Sequence, residues 1–554
     1  MRVGVNAVHG FRLTHRAYRG FTQWCTMLGM NDELNAATDE TTLQTQPEQE
    51  LESKGPQSMN QRGAQRSRRP TSEAFRAFIG SHWGPRDSSH IERAEAADFL
   101  PARHQRIAQA FPGERLVIPA GGLKVRNNDC DYRFRAHSAF VHTTGLGGEQ
   151  EPDAVLVIEP GEDHSHEAVL YFKPRASRSS EEFYADSRYG EFWVGARPSL
   201  EEMETTTGVR CAHIDTLPDA LAKDAGQVQL RVVREASDEI TAMVDQVRQQ
   251  AGLPHGEDAR GLDDDLAQEL SEMRLCKDAY ERAQIELAVE VTHQGFDEII
   301  RALPRAVGHR RGERVIEGAF GARAREDGNG LGYDTIAAAG NHANTLHWID
   351  NDGPVRPGDL VLVDAGVEVD SLYTADITRT LPVDGTFTQV QAKVYNAVLD
   401  ACEAALEAAN KPGCVFREIH EAAMEVIAQR LEEWGILPVS AQESLTVDGQ
   451  QHRRWMPHGT SHHLGLDVHD CAQARQEMYL DAKLEPGMVF TIEPGLYFRA
   501  DDLAVPEEYR GIGVRIEDDI IVNEDGSVTR ISEAIPRTVA DVEAWIARVQ
   551  GERA

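Results

Sequence analysis

No two of the seven cysteines are spaced as C-x-x-C; they stand apart as Cys25, Cys130, Cys211, Cys276, Cys402, Cys414 and Cys471. An odd, dispersed set in a long chain excludes a disulfide framework and a thiolate zinc knuckle, and it reads as the reduced thiols of a cytoplasmic protein. Apolar runs of the roughly 20 residues that a membrane helix requires are also missing. Positive charge is short: 57 basic against 91 acidic side chains leave a formal net charge of -34. Such a surface repels phosphate backbones and anionic lipid, so neither nucleic acid nor a membrane is expected as a partner.

What is present is length and apolar content. With 554 residues, 41% of them hydrophobic, the chain can build real cores, and its length corresponds to roughly three or four units of about 150 residues. The first thirty residues hold Arg2, Arg12, Arg16 and Arg19, with neither an acid nor a serine. That is a poor transit peptide and no signal peptide, and it reads as an upstream extension, with Met30 as the more natural start. Residues 31–72, rich in Gln, Glu, Ser, Thr and Asn, offer little apolar surface to bury and are expected to be disordered. A chain beginning near Ser72 should therefore keep its thermal midpoint and its activity. A large loss of either would show that the extension folds onto the rest.

Order is expected from "TSEAFRAFIGSHW", where Ser72 and Glu73 precede a helical spacing of Phe75, Phe78 and Ile79. A helix over 95–111 follows, then short runs bounded by Gly and Pro that read as strands: "RLVIPAGG", "SAFVHTTGL", "DAVLVIEP" and "EAVLYFKP". With a helix over 235–251 they suggest a smaller α/β domain. The acidic, turn-rich "HGEDARGLDDDLAQELSEM" reads as a linker or loop. Beyond it, a long amphipathic helix, helices at 389–410 and 416–435, and strands at 359–365, 374–383, 488–493 and 513–522 indicate an α+β layered domain.

Carboxylates end several of these apolar strands. "DLVLVDAGVEVDSLYTADITRTLPV" places Asp364 at the end of one run and Asp376 at the start of the next; "GMVFTIEPGLYF" and "GVRIEDDIIV" repeat the pattern with Glu493 and Glu517. A buried carboxylate is costly unless something positive compensates it. Residues two apart on a strand share a face, which sets Thr378 beside Asp376, Thr491 beside Glu493 and Arg515 beside Glu517. Taken singly, each is as readily an edge carboxylate in water. Four of them, near the histidines of "MPHGTSHHLGLDVHD", form an oxygen-rich set suited to Mn²⁺, Co²⁺, Fe²⁺ or Zn²⁺. Four carboxylates can hold two ions about 3.5–4 Å apart, which activate a bridging water.

The words "DAG…ADITRT", "HGTSHHLGLDVHD", "EPGMVFTIEPGLY" and "YRGIGVRIEDD" resemble the pita-bread metallopeptidases, and within them aminopeptidase P, the Xaa-Pro aminopeptidases, from about residue 90 to 540. The resemblance implies an α+β fold: a creatinase-like α/β domain over 73–254, the linker over 255–272, a pita-bread catalytic domain over 273–540 and a tail over 541–554. It implies two divalent ions per subunit, Mn²⁺ foremost, with Asp364 on one, His462 and Glu493 on the other, and Asp376 and Glu517 bridging both. His347, in "ANTLHWIDN", His458 and His469 would line the substrate site, with Glu493 able to shuttle a proton and Arg515 and Thr378 supporting the ligands from behind. His463 is then left as a packing residue.

The implied activity is removal of the N-terminal residue from peptides with proline second, by a metal-activated bridging water, in a cytoplasmic homo-oligomer (dimer or tetramer). The alternatives are a dipeptide-only prolidase and a catalytically silent pita-bread binding module, the latter disfavoured by the intact ligand set. Two departures from the family pattern are visible. Asp364 and Asp376 are twelve apart where eleven is usual, which a turn or bulge must absorb. The segment "DCAQARQEMYLD" lacks the family's tyrosine-containing loop.

Overall fold

The computed structural model describes residue 70 and residues 72–148, 150–161 and 166–552. The expectation of disorder over 31–72 falls almost wholly outside them, as does the extension before it. Ser72 caps the first described helix, Glu73–Ile79, by accepting from the Phe75 amide.

The amino-terminal domain is built on a mixed five-stranded sheet in the order Arg210–His213, His166–Phe172, Val155–Pro160, Arg115–Pro119 and Leu230–Val232. The middle strands pair antiparallel and the outer ones parallel. Strand Arg115–Pro119 is buried throughout, as its unbroken apolar run requires when helices cover both faces.

The expected strand "SAFVHTTGL" is instead the helix Ser138–Thr144, with all seven residues buried. Local hydrogen bonds decide this. His137 accepts from the Ala139 amide, and the buried Thr143 and Thr144 hydroxyls donate to the Ala139 and Phe140 carbonyls at 2.7 Å. Gly145, at φ 68°, ends the turn in a left-handed conformation.

The expected acidic linker over 255–272 is also helical, Arg260–Met273. Leu266, Leu270 and Met273 recur at helical spacing and are buried. Asp263 is turned inward as well, accepting from Arg248 at 2.6 Å and Arg234 at 2.6 Å. The expected tail over 541–554 is a third correction: Val539–Gly551 is a helix that buries Val542, Trp545, Ile546 and Val549. In both cases an apolar stripe at 3.6-residue spacing packs the segment as a helix.

The carboxy-terminal domain opens with the helix Ala279–Val307, started by an Asp278–Glu281 capping box. Its inward face and those of Gln389–Ala409 and Phe416–Glu433 surround small antiparallel sheets. One sheet orders Ile377–Pro382, Leu360–Ala365 and Ile336–Ala339; a second orders Val489–Ile492, Asp518–Val522 and Val528–Arg530; Gly495–Tyr497 pairs with Gly513–Arg515.

The two domains meet over the segment 463–470. Arg135 of the smaller domain pairs with Glu368 at 2.7 Å and donates to the Leu466 carbonyl. Ser138 donates to Asp467 at 2.5 Å. Within the larger domain the same segment is fixed by Asp470, buried and held by Arg274 at 3.1 Å and Lys277 at 3.2 Å.

Candidate metal centre

The strands place the sequence's carboxylates on one cluster. Strands Leu360–Ala365 and Ile377–Pro382 pair antiparallel with Asp364 opposite Thr378. Between them the chain turns through residues 369–373, with Leu372 at φ 70°, and this turn accommodates the twelve-residue separation. The Tyr333 hydroxyl reaches both carboxylates, 2.7 Å from Asp364 and 2.5 Å from Asp376.

Residues 460–464 run extended beside Val489–Ile492: the Thr491 amide donates to the His462 carbonyl, and the Leu464 amide to the Val489 carbonyl. Side chains of an extended segment alternate. His462 Nε2 therefore faces the cluster, 3.3 Å from Asp376 and 3.6 Å from Glu493. His463 faces away, stacked on Phe416 with ring centroids 4.6 Å apart and edge-on to Tyr479 at 4.5 Å. Asp376, His462 and Glu517 each offer one atom within 4.8 Å of the others.

Arg515 departs from its expected place beside Glu517. Its guanidinium reaches Asp364 at 2.5 Å, the Thr378 hydroxyl at 3.0 Å and the Tyr497 hydroxyl at 3.1 Å. Thr378 in turn donates to Glu517 at 2.7 Å, so Arg515 supports Glu517 by hydrogen bonds through Thr378 and by its charge. The cause is the strand break at Ile516 and Glu517, which lie between Gly513–Arg515 and Asp518–Val522 and belong to neither.

Electrostatically the cluster is starved of positive charge. Burial and the charge of Asp364 raise Asp376, outweighing the pull of His462. Burial pushes Glu493 and Glu517 upward too. Burial would lower His462, but its hydrogen bond to Asp376 and the charge of Glu493 lift it to about 9. Arg515 is the one Arg or Lys among the described residues lining the cavity. A set of four carboxylates and one imidazole that crowds protons and an arginine around itself is short of cation charge, and divalent ions fit that donor set.

The cavity above the cluster measures about 540 Å³ and is lined by His347, His458 and His469 as well as the five candidate ligands. His458 Nδ1 donates to the Gly459 carbonyl at 2.5 Å, and its Nε2 accepts from the Tyr497 hydroxyl at 2.7 Å. Burial lowers its pKa to about 3, so it is neutral, and it lies 3.6 Å from Glu493. His469 meets the His462 ring edge-on at 4.5 Å. His347 is exposed at the rim, between Leu346 and Ile349.

Three further groups at the cluster carry no signal in the sequence: Tyr333, Tyr497 and Asp519, whose carboxylate accepts from the Asp376 amide at 3.1 Å. Tyr333 lies in a short turn after Gly330–Leu331, where nothing local marks it as an active-site group. A larger cavity of about 900 Å³ lies in the smaller domain. Among the arginines lining it, Arg188 pairs with Asp131 and Arg197 with Glu151, each at 2.7 Å.

Comparison with known proteins agrees over most of the chain. Residues 283–524 match metallopeptidase family M24, and residues 101–233 match the aminopeptidase P N-terminal domain. "Xaa-Pro aminopeptidase 2" of Streptomyces coelicolor is 47% identical over 475 residues, 86% of this chain and 96% of that relative. Human "Xaa-Pro aminopeptidase 3" is 32% identical over 465 residues, 82% of this chain and 85% of that one. Among solved structures, Escherichia coli aminopeptidase P with the inhibitor Pro-Leu superposes with a TM-score of 0.70 at 29% identity, covering 83% of this chain and 100% of that one. Proline aminopeptidase P II of Yersinia pestis also gives 0.70, at 30% identity, covering 82% and 99%.

Proposed function

The chain belongs to the Xaa-Pro aminopeptidases of metallopeptidase family M24, and on that premise we propose that it removes the N-terminal residue from peptides with proline second, by metal-dependent hydrolysis. The observation behind this reading is the convergence of Asp364, Asp376, His462, Glu493 and Glu517 beneath one cavity. Two ions are proposed: Asp364 would hold one, His462 and Glu493 the other, and Asp376 and Glu517 would serve both. Mn²⁺ is the ion of choice, because the set is rich in hard oxygen and holds no thiolate. When bound, the ions supply Lewis acidity and a nucleophilic water at neutral pH.

The protein's own groups do the rest. Arg515 and Tyr333 hold Asp364, and Thr378 orients Glu517. Glu493, raised by burial, takes the proton of the attacking water and passes it to the departing proline nitrogen. His347 and His469 donate to the oxygen on which negative charge develops, where preorganised donors are most effective. His458 stays neutral, and its Nε2 accepts from the Tyr497 hydroxyl beside Glu493. The proline nitrogen carries no N–H, so recognition rests on the cavity walls and not on an amide hydrogen bond.

A cytoplasmic location is supported by six described cysteines, all free. A homo-oligomer is supported by the consecutive exposed Phe192, Trp193 and Val194, and light scattering of the purified protein measures its size.

Substrate length is the direct test of function. Release of the first residue from Xaa-Pro peptides of two, three and five residues should occur at all three lengths and should depend on added Mn²⁺ after chelation. Cleavage confined to the dipeptide would make the protein a prolidase, and no cleavage at any length would leave a binding module.

A further inference from the structure

The loop that bears His347 is tied to one carboxylate outside the metal cluster. Glu313 lies in the first turn of the helix Gly312–Asp327 and is fully buried. Its Oε1 accepts from the Ala339 amide and from His342 Nδ1, both at 2.8 Å. Its Oε2 accepts from Trp348 Nε1 at 2.9 Å and from the Gly353 amide at 2.6 Å. These four donors span the whole excursion from the strand Ile336–Ala339 to residue 353, and Trp348 is the neighbour of His347 in the chain.

Other contacts tighten the same segment. The His342 ring stacks on Trp348 with centroids 4.0 Å apart. Asn351, at φ 46°, accepts from the Ala337 amide at 2.9 Å and donates to the Thr335 carbonyl at 2.8 Å. A Cβ on Gly353 would stand 2.6 Å from Glu313 Oε2 and 2.7 Å from the His342 ring, so the backbone there approaches the carboxylate as only glycine permits. His347 itself is exposed and has no comparable anchor of its own.

We propose that Glu313 is a positioning residue for His347: a single buried carboxylate gathers both ends and the middle of the 339–353 loop and so aims an exposed imidazole into the cavity. The inference rests on the reading of His347 as a substrate-site group. A buried carboxylate that accepts four N–H bonds, two of them from backbone amides, has no spare valence for substrate, so its influence on turnover passes through the loop. Glu313→Gln keeps the shape but turns an NH₂ group toward N–H donors, which lets the loop drift. Displacements of about 1 Å at such groups cost on the order of a hundredfold in rate.

The test is a double-mutant cycle on the metal-loaded enzyme. His347→Ala alone should lower kcat by about a hundredfold or more, as loss of one oxyanion donor does. Glu313→Gln alone should lower kcat by a similar factor, with metal content and KM little changed and with altered Trp348 fluorescence. Together the two should be no worse than His347→Ala alone. Should Glu313→Gln fail to fold, Trp348→Phe removes one of the four donors while keeping a ring on His342, and it should show a smaller loss with the same non-additivity. Multiplied losses in the double variant, or full activity in Glu313→Gln, would overturn the positioning role. A fully active His347→Ala would instead overturn the reading of His347 on which it rests.

Discussion

Glu517→Ala is expected to abolish turnover, to lose metal and to leave the fold standing. Glu517 is buried between Asp376, Glu493 and Asp364, and its carboxyl is raised well above the ordinary range by that burial and those charges. Without metal it is a burden on the folded state, because crowded buried carboxylates repel and must take up protons. Removing it should therefore leave the metal-free thermal midpoint no lower. With metal it is the group proposed to hold both ions. Its loss should forfeit roughly 4 kcal/mol or more of transition-state stabilisation, about a thousandfold in rate.

The two effects separate in one pair of melts. Any ion that binds the folded state alone stabilises it by RT ln(1 + [L]/Kd), so added Mn²⁺ should raise the midpoint of the parent protein and do far less for the variant. Asp376→Ala should behave alike, since Asp376 sits 3.3 Å from His462 and shares the Tyr333 hydroxyl with Asp364. Two tightly bound ions by metal analysis, together with full activity, in Glu517→Ala would sink the assignment.

The adjacent histidines should respond in opposite ways. His462→Ala removes the imidazole that faces Asp376 and Glu493, and metal occupancy and nearly all turnover should go with it. His463→Phe changes a ring that is sandwiched by Phe416 and Tyr479 and makes no well-formed hydrogen bond through either nitrogen. Burial lowers its pKa to about 3, so it brings no charge to the site. A buried polar atom left without a partner costs about 1–3 kcal/mol, and phenylalanine has none, so stability should hold or rise while metal and rate persist. His469→Ala should bind metal normally and turn over about a hundredfold more slowly, because a donor to the developing oxyanion is lost and no ligand is. Titration of the three variants with Mn²⁺ while following rate distinguishes them. Loss of metal in His463→Phe and retention in His462→Ala would put the segment out by one residue.

Strand periodicity made the candidate ligands legible. Asp364, Glu493 and Glu517 interrupt apolar runs where a carboxylate is expensive; period-two alternation says that His462 and His463 cannot both face one ion, and the family resemblance chose His462. Long-range partners left no such mark. Tyr333 and Glu313 act across 31 and 26 residues, on Asp364 and on Ala339, and each is locally an unremarkable turn or helix residue. Composition misled at 138–146 and 255–272. In the first, threonine hydroxyls bonded back along a helix that β-branched content argues against; in the second, Asp263 left the solvated face to meet two arginines. Arg515 was placed by strand arithmetic that fails where the strand stops, one residue short of Ile516.

The contacts of Arg135 and Ser138 with the segment that ends in His469 bear on how such proteins can be reshuffled by recombination. Every candidate ligand lies between residues 364 and 517, so one half of the chain holds the whole set. The brace on Leu466 and Asp467, however, is supplied from the other half of the chain. A chimaera that joined this half to an unrelated amino-terminal half would keep the candidate ligands and lose both contacts to the segment that ends in His469. Arg135, Ser138 and Asp467 thus tie the two halves of the chain together at the segment that ends in His469.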